Sequence, residues 1–274
     1  MTHSHGRGAR FRSSLLVLLV LGLLAPACGG GGGDDGGSPA GGDATTTPGE
    51  DAEPVAGGRI VYGLESESSG GWCLPEAQLA LSGAQVARAV YEPLTMPNAD
   101  GEYVPYLATA VTPNADFTEW TIELPEGVTF HDGSPLTAEV VKNNLDAFRG
   151  AYEGRTGLLL PFVYENIAEV TVAGPLTVVV TAKTPWRSFP AFLNQGNRFG
   201  IMGQAQLDDP DHCDENLVGT GPFRLEEWKL NRSLVVVRNE SYRIPGLPTS
   251  TRSSSARSTR PSSVSTPSRP ARST

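Results

Sequence analysis

The densest run of metal-ligating side-chain types in the chain is Asp208-Asp209-Pro210-Asp211-His212-Cys213-Asp214-Glu215. Adjacent residues rarely aim together at one ion, and this spacing matches no tetrahedral template, so the run reads as a solvated acidic loop that carries a cysteine. His131 has the side chain of a general base, and the alternative is a hydrogen-bonded turn residue in His131-Asp132-Gly133. No Gly-x-Ser-x-Gly elbow, His-Glu-x-x-His pair or Cys-x-x-Cys pair occurs. The glycine-rich run after Cys28 lacks the strand, Lys and helix start of a phosphate loop. The expectation is therefore no catalytic residue, no metal and no cofactor.

The N-terminus places these residues in a compartment. Arg7, Arg10 and Arg12 precede an apolar run from Leu15 to Leu24, and Ala25-Pro26-Ala27-Cys28 follows. This is the pattern of a secretory signal over 1–27, and the run is short of the about 20 apolar residues of a membrane-spanning helix. Leu24 to Cys28 resembles a bacterial lipoprotein cleavage site, although Pro26 and the position of Leu24 depart from it. That resemblance implies lipidation of Cys28; the alternative is ordinary cleavage near Ala27. Residues 28–58 are rich in Gly, Asp, Thr and Pro, a composition that cannot offset its ordering entropy and reads as a flexible tether.

The chain carries a formal charge of −9. The signal and the segment from Thr249 hold basic residues and no acidic ones, so the part between them is more acidic still. That balance excludes a nucleic-acid partner, which needs a basic face. With Cys28 lipidated, Cys73 and Cys213 remain as a pair in an oxidising compartment, which predicts a disulfide; two unpaired thiols are the alternative.

The elements that must position these residues follow from hydrophobic period. Ile60 to Tyr62 reads as a buried strand, Gln78 to Tyr91 as a helix, and Glu92 to Leu94 with Asn98 to Gly101 as an extended piece and a hairpin turn. Trp120, Ile122 and Leu124 alternate with polar residues, a strand with one buried face that breaks at Pro125 to Gly127. Thr137 is placed to cap a helix with Glu139 in its first turn, and Val141, Leu145 and Phe148 give that helix one apolar face. Ile167 to Val172 and Leu176 to Thr181 form a hairpin, Phe189 to Leu193 starts a helix, and Leu234 to Arg238 is a late strand. Strands and helices interleave without a repeat, so the fold class is α/β or mixed α+β.

Two blocks carry a resemblance. The first runs from Trp120 to Phe148 and includes Gly127, Phe130, Asp132 and Gly133. The second is Val218-Gly219-Thr220-Gly221-Pro222-Phe223, followed by Leu225, Trp228, Leu234 to Asn239 and Tyr242. Together they resemble the family 5 extracellular solute-binding proteins, the oligopeptide-, dipeptide- and nickel-type receptors of ABC importers, over Arg59 to Pro248. The resemblance implies a two-lobed fold of the type II periplasmic-binding-protein kind, with the first lobe and an attached subdomain present here. It also implies a monomeric non-enzyme that takes a peptide-like small solute, serves an ABC permease and is lipid-anchored at the cell surface or on the periplasmic side of the membrane. By the same resemblance His131 belongs to a structural turn. Gly219 and Gly221 permit an unusual backbone path, and Glu65 and Trp72 lie where the first strand opens toward the ligand cleft. Glu65 and Trp72 are thus ligand-binding candidates, with core packing beside Cys73 as the alternative for Trp72.

From Thr249 to Thr274 the chain is almost wholly Ser, Thr, Arg, Pro and Ala, a composition that predicts a disordered basic tail. A genuine tail, a Ser/Thr-rich stalk and a shifted reading frame are the alternatives. Members of the family it resembles often continue after Gly-Leu-Pro with Tyr-Leu-Asp-Glu-Ile. The codons TAC CTC GAC GAG ATC read one base late give Thr-Ser-Thr-Arg-Ser, the order of Thr249 to Ser253. On that reading the chain is a truncated, transport-incompetent fragment without its second lobe.

Overall fold

The computed structural model describes residues 55–66, 70–158 and 160–257. The signal segment, Cys28, most of the tether and the chain from 258 lie outside the described residues. In chain order the elements are β1 (Arg59–Leu64), α1 (Leu81–Val90), β2 (Thr95–Pro97), β3 (Tyr103–Pro105), β4 (Ala110–Pro113), β5 (Glu119–Glu123) and α2 (Ala138–Phe148). They continue with β6 (Ile167–Gly174), β7 (Thr177–Ala182), α3 (Phe189–Phe192), α4 (Gln204–Asp208), β8 (Phe223–Lys229), β9 (Ser233–Arg238) and β10 (Arg252–Arg257). The class is mixed α/β.

The alternating run becomes β5, whose Trp120 and Ile122 are buried while Glu119 and Glu123 face outward. It lies in an antiparallel sheet of order β4-β5-β7-β6, where Ile122 pairs with Val178 and Trp120 with Val180. Helix α2 packs over β6 and β7. Its cap is the expected one, with Thr137 Oγ1 accepting the Val140 N–H at 3.3 Å. Val141, Leu145 and Phe148 are fully buried, as their spacing requires. Asn144 is also buried on that face. Its Nδ2 donates to the carbonyls of Val140 and Met202, and its Oδ1 accepts the Met202 N–H, so no polar atom is left unpaired there.

A second sheet has the order β1-β10-β9-β8, and β2 and β3 form the short hairpin. Helix α1 packs against β8. Two expectations change in this sheet. The run Ile60 to Tyr62 is a strand but not a buried one, with 42%, 61% and 56% exposure at Ile60, Val61 and Tyr62. The reason is position, because among the described residues β1 is the edge strand of its sheet and pairs with β10 alone. The disordered tail expected from Thr249 is likewise corrected over 249–257. Arg252 to Arg257 is β10, parallel to β1 on one side and antiparallel to β9 on the other. Main-chain hydrogen bonding on both edges holds a segment whose side chains alone predict no strand.

Candidate functional site

The two blocks of sequence meet at His131. Gly127 and Gly133 adopt positive φ, 73° and 85°, and shape the turn that presents it. Asp132 Oδ1 closes that turn by accepting from the Ser134 N–H and hydroxyl. The His131 N–H donates to the Gly219 carbonyl at 2.9 Å. Its Nδ1 accepts the Gly219 N–H at 3.3 Å, so Nε2 carries the proton and donates to the Gly221 carbonyl at 3.0 Å. The neutral ring thus bonds the second block at two points, and burial holds its pKa below the ordinary 6.5.

The second block also presses on the end of α1. The Gly221 N–H donates to the Val90 carbonyl at 2.9 Å. A Cβ at Gly219 would lie 2.0 Å from that oxygen, and one at Gly221 would lie 2.6 Å from it. Neither glycine has a positive φ, so close approach of two backbones, and not an unusual path, is what demands glycine here. Buried Gln206 completes the junction. Its Oε1 accepts from the Tyr91 hydroxyl and the Val218 N–H, and its Nε2 donates to the Cys213 carbonyl.

Two residues past α1, Glu92 is a buried carboxylate with 1% exposure. Its Oε1 accepts from the Tyr242 hydroxyl and from Arg243 Nε, both at 3.0 Å, and Arg243 lies over the Tyr106 ring. Burial raises the Glu92 pKa, and the Arg243 charge opposes that shift. Nothing in the sequence pairs Glu92 with Tyr242 and Arg243, which lie about 150 positions further along. The group ties α1 to the segment after β9, and the carboxylate is engaged by its own chain.

This arrangement has counterparts. Residues 102–254 match the family model described as Bacterial extracellular solute-binding proteins, family 5 Middle. The chain belongs to this family. It is similar to the Nickel-binding periplasmic protein of Escherichia coli K12, at 32% identity over 56% of this chain and 29% of the relative. It is also similar to the Glutathione-binding protein GsiB of Salmonella paratyphi A, at 33% identity over 60% of this chain and 31% of the relative. The oligopeptide-binding protein AppA of Bacillus subtilis, solved in complex with a nonapeptide, shares the fold with a TM-score of 0.64 and 21% identity. That likeness covers 75% of this chain and 41% of AppA. The chain therefore spans about three-tenths of the length of the curated relatives it matches.

Within this family 5 chain the motif residues serve the junction. Phe130 and Trp120 are buried, Trp120 packs on Phe189, and Thr220 is buried between Gly219 and Gly221. The Pro222 carbonyl accepts the Asn239 N–H. Glu65 is exposed just past β1. Trp72 is 1% exposed and packs edge-on against Trp228 with centroids 6.0 Å apart, so its ring offers no free face. Beside it Cys73 and Cys213 form a disulfide. Arg155 seals this corner, donating to the carbonyls of Leu207 and Asp209. In the acidic run, Asp208 accepts from Tyr152 and Gln204, and Asp209 accepts the N–H groups of Asp211 and His212. Asp209 thus closes a local turn while Asp208 holds Tyr152 from a distant segment, and among the described residues no group of three His, Cys, Asp or Glu side chains is placed to hold a metal.

Proposed function

We propose that this chain is the N-terminal part of a substrate-binding lipoprotein of an ABC importer, which captures a peptide-like solute outside the membrane and delivers it to the permease. The observation that carries this reading is the junction itself: both family blocks are joined through His131 and the end of α1, in a chain of family 5. Support for a peptide-like solute comes from the glutathione for which one relative is named and the nonapeptide bound by AppA, while another relative is named for nickel. Residues 1–27 act as the signal, lipidated Cys28 as the anchor and the segment to 58 as the tether. In this reading recognition and closure are non-catalytic, and Glu65 remains a candidate solute contact at the end of β1. Titration calorimetry with glutathione, tripeptides and Ni²⁺–histidine tests it. Saturable binding by one of them supports the reading, and no heat from any of them overturns it for this chain.

A second reading is favoured by one observation, the short span against relatives of which this chain covers 29% and 31%. The natural product is then a full two-lobed receptor, and the present chain is a fragment whose frame changes near Thr249. Sequencing the gene across the codons for Gly246 to Ser255 and several hundred bases beyond tests this. Recovery of Tyr-Leu-Asp-Glu and a long open frame after a one-base displacement supports it. A frame that yields no such continuation removes it.

A further inference from the structure

The two four-stranded sheets present outer edges at β4, β6, β8 and β1, and the first three carry devices that hinder pairing. Strand β4 is four residues long and ends in Pro113. Strand β6 has irregular register between Ile167 and Glu169 and again between Val172 and Gly174. Strand β8 is irregular between Leu225 and Glu227 and carries Arg224, Glu226, Glu227 and Lys229. Bulges, prolines and charges guard an edge, because a bare row of N–H and C=O groups is a template for another strand. Strand β1 lacks these guards. Its register with β10 is unbroken from Arg59 to Leu64, and Ile60-Val61-Tyr62-Gly63-Leu64 contains neither proline nor charge. Ile60, Val61 and Tyr62 are exposed. The Gly58 carbonyl accepts from the Arg252 N–H, so alternation along the strand turns the main-chain groups of Arg59, Val61 and Gly63 away from β10. Among the described residues no strand pairs on that side. Charge stands only at the two ends, Arg59 before the apolar run and Glu65 after it.

We propose that the outer edge of β1 pairs antiparallel with the same edge of a second copy of this chain, across a two-fold axis at Tyr62. This register sets Val61 opposite the partner's Gly63, Ile60 opposite the partner's Leu64 and Arg59 opposite the partner's Glu65. Val61 and Gly63 have outward main-chain groups, so they exchange N–H and C=O bonds with their opposites, as an antiparallel pair requires. Ile60 and Leu64 form an apolar cross-strand pair, and the two Tyr62 rings lie side by side at the axis. A cation then faces an anion at each end of the paired strands. The Arg59 guanidinium already donates through Nη2 to the Ser254 hydroxyl at 3.2 Å and keeps further donors for a carboxylate. An axis at Val61 or Gly63 sets Arg59 and Glu65 against other residues, so the charges select the register. Such a contact uses the same patch on both copies and closes as a dimer, whereas the resemblance implied a monomer. The pairing rests on the edge itself and on neither reading of function.

Sedimentation equilibrium of the full chain over a wide range of concentration tests this, with Cys28→Ser in every protein to exclude a disulfide between copies. The expected result is a reversible monomer–dimer equilibrium. R59E and E65R should each weaken it by about 5- to 30-fold, since each sets two like-charged pairs at the contact, and R59E/E65R should return to within about 3-fold of the starting protein. The double reversal does not restore the bond to Ser254, so its recovery reports the contact between copies. Val61→Pro removes an outward N–H from an edge strand and should leave monomer alone, with an unchanged circular dichroism spectrum. A starting protein that stays monomeric overturns the proposal. So does association that both single reversals leave unchanged, which places it on another surface, and so does a double reversal no stronger than the singles. The charge series decides the matter whether or not Val61→Pro folds.

Discussion

Replacing Cys73 and Cys213 together by alanine releases a cross-link between positions 140 residues apart. In the chain-entropy account, a closed loop of that length withholds conformations from the unfolded chain worth about 5 kcal/mol at 25 °C, and removal of native disulfides from small secreted domains typically costs about 2–5 kcal/mol. Here the bond ties the segment after β1 to the loop after α4, and both cysteines are buried. The ring contact of Trp72 and the main-chain bonds made by Gln206 and Arg155 involve no sulfur, and Arg155 loses only its 3.5 Å contact to Cys73 Sγ. The loss is therefore mainly a gain in unfolded-state freedom and not a local collapse. With a urea slope of about 2–3 kcal/mol/M for a folded body of this size, the unfolding midpoint should fall by about 1–2 M. Wild-type protein unfolded in dithiothreitol should reach nearly the same midpoint as the alanine pair, because both remove the cross-link while only one removes the sulfur atoms. A double variant that unfolds within about 0.2 M of the oxidised wild type would refute the loop-closure reasoning.

Two further outcomes follow from the junction. Gly219→Ala forces a methyl group into the Val90 carbonyl oxygen, a contact of 2.0 Å before relaxation, and should cost about 2–3 kcal/mol or more, read as a lower urea midpoint. An unchanged midpoint would mean that the two backbones part freely. His131 has its pKa lowered, chiefly by burial, so its contribution is complete above the ordinary value of 6.5, shrinks as pH falls below it and is lost as the folded pKa is passed. Protonated Nδ1 can no longer accept the Gly219 N–H. His131→Gln should therefore show a flatter loss of stability than wild type between about pH 6.5 and 5. Asp132 and Arg224 are the charged groups that act on the ring, and Glu92, raised by burial, works in the opposite sense toward low pH. Parallel slopes in the two proteins would show that the ring does not titrate with unfolding.

Period and punctuation carried most of the elements. The 120–124 alternation, the Thr137 cap and the Val141, Leu145 and Phe148 stripe are local patterns, and local hydrogen bonding and side-chain direction are enough to determine what they become. The two family blocks were legible as short runs of fixed residue order, with Gly127 and Gly133 at turn positions in the first. Less was visible where burial depends on what lies alongside. Ile60 to Tyr62 has the composition of an interior strand, yet its place at a sheet edge leaves it exposed. Arg252 to Arg257 has the composition of a disordered tail, yet two neighbouring strands supply its hydrogen bonds.

The family, the mixed α/β class, the turn around His131 and the cysteine pair are legible in the order of residues, because each is written in short-range spacing or in a count. Packing between distant segments sets the grip of His131 on Gly219 and Gly221, the need for those glycines beside the Val90 carbonyl, and the meeting of Glu92 with Tyr242 and Arg243. It also decided that three serines lie in a strand paired on both edges. Each of those facts joins residues far apart in the chain, and such pairings are set by how elements pack, which no local period encodes.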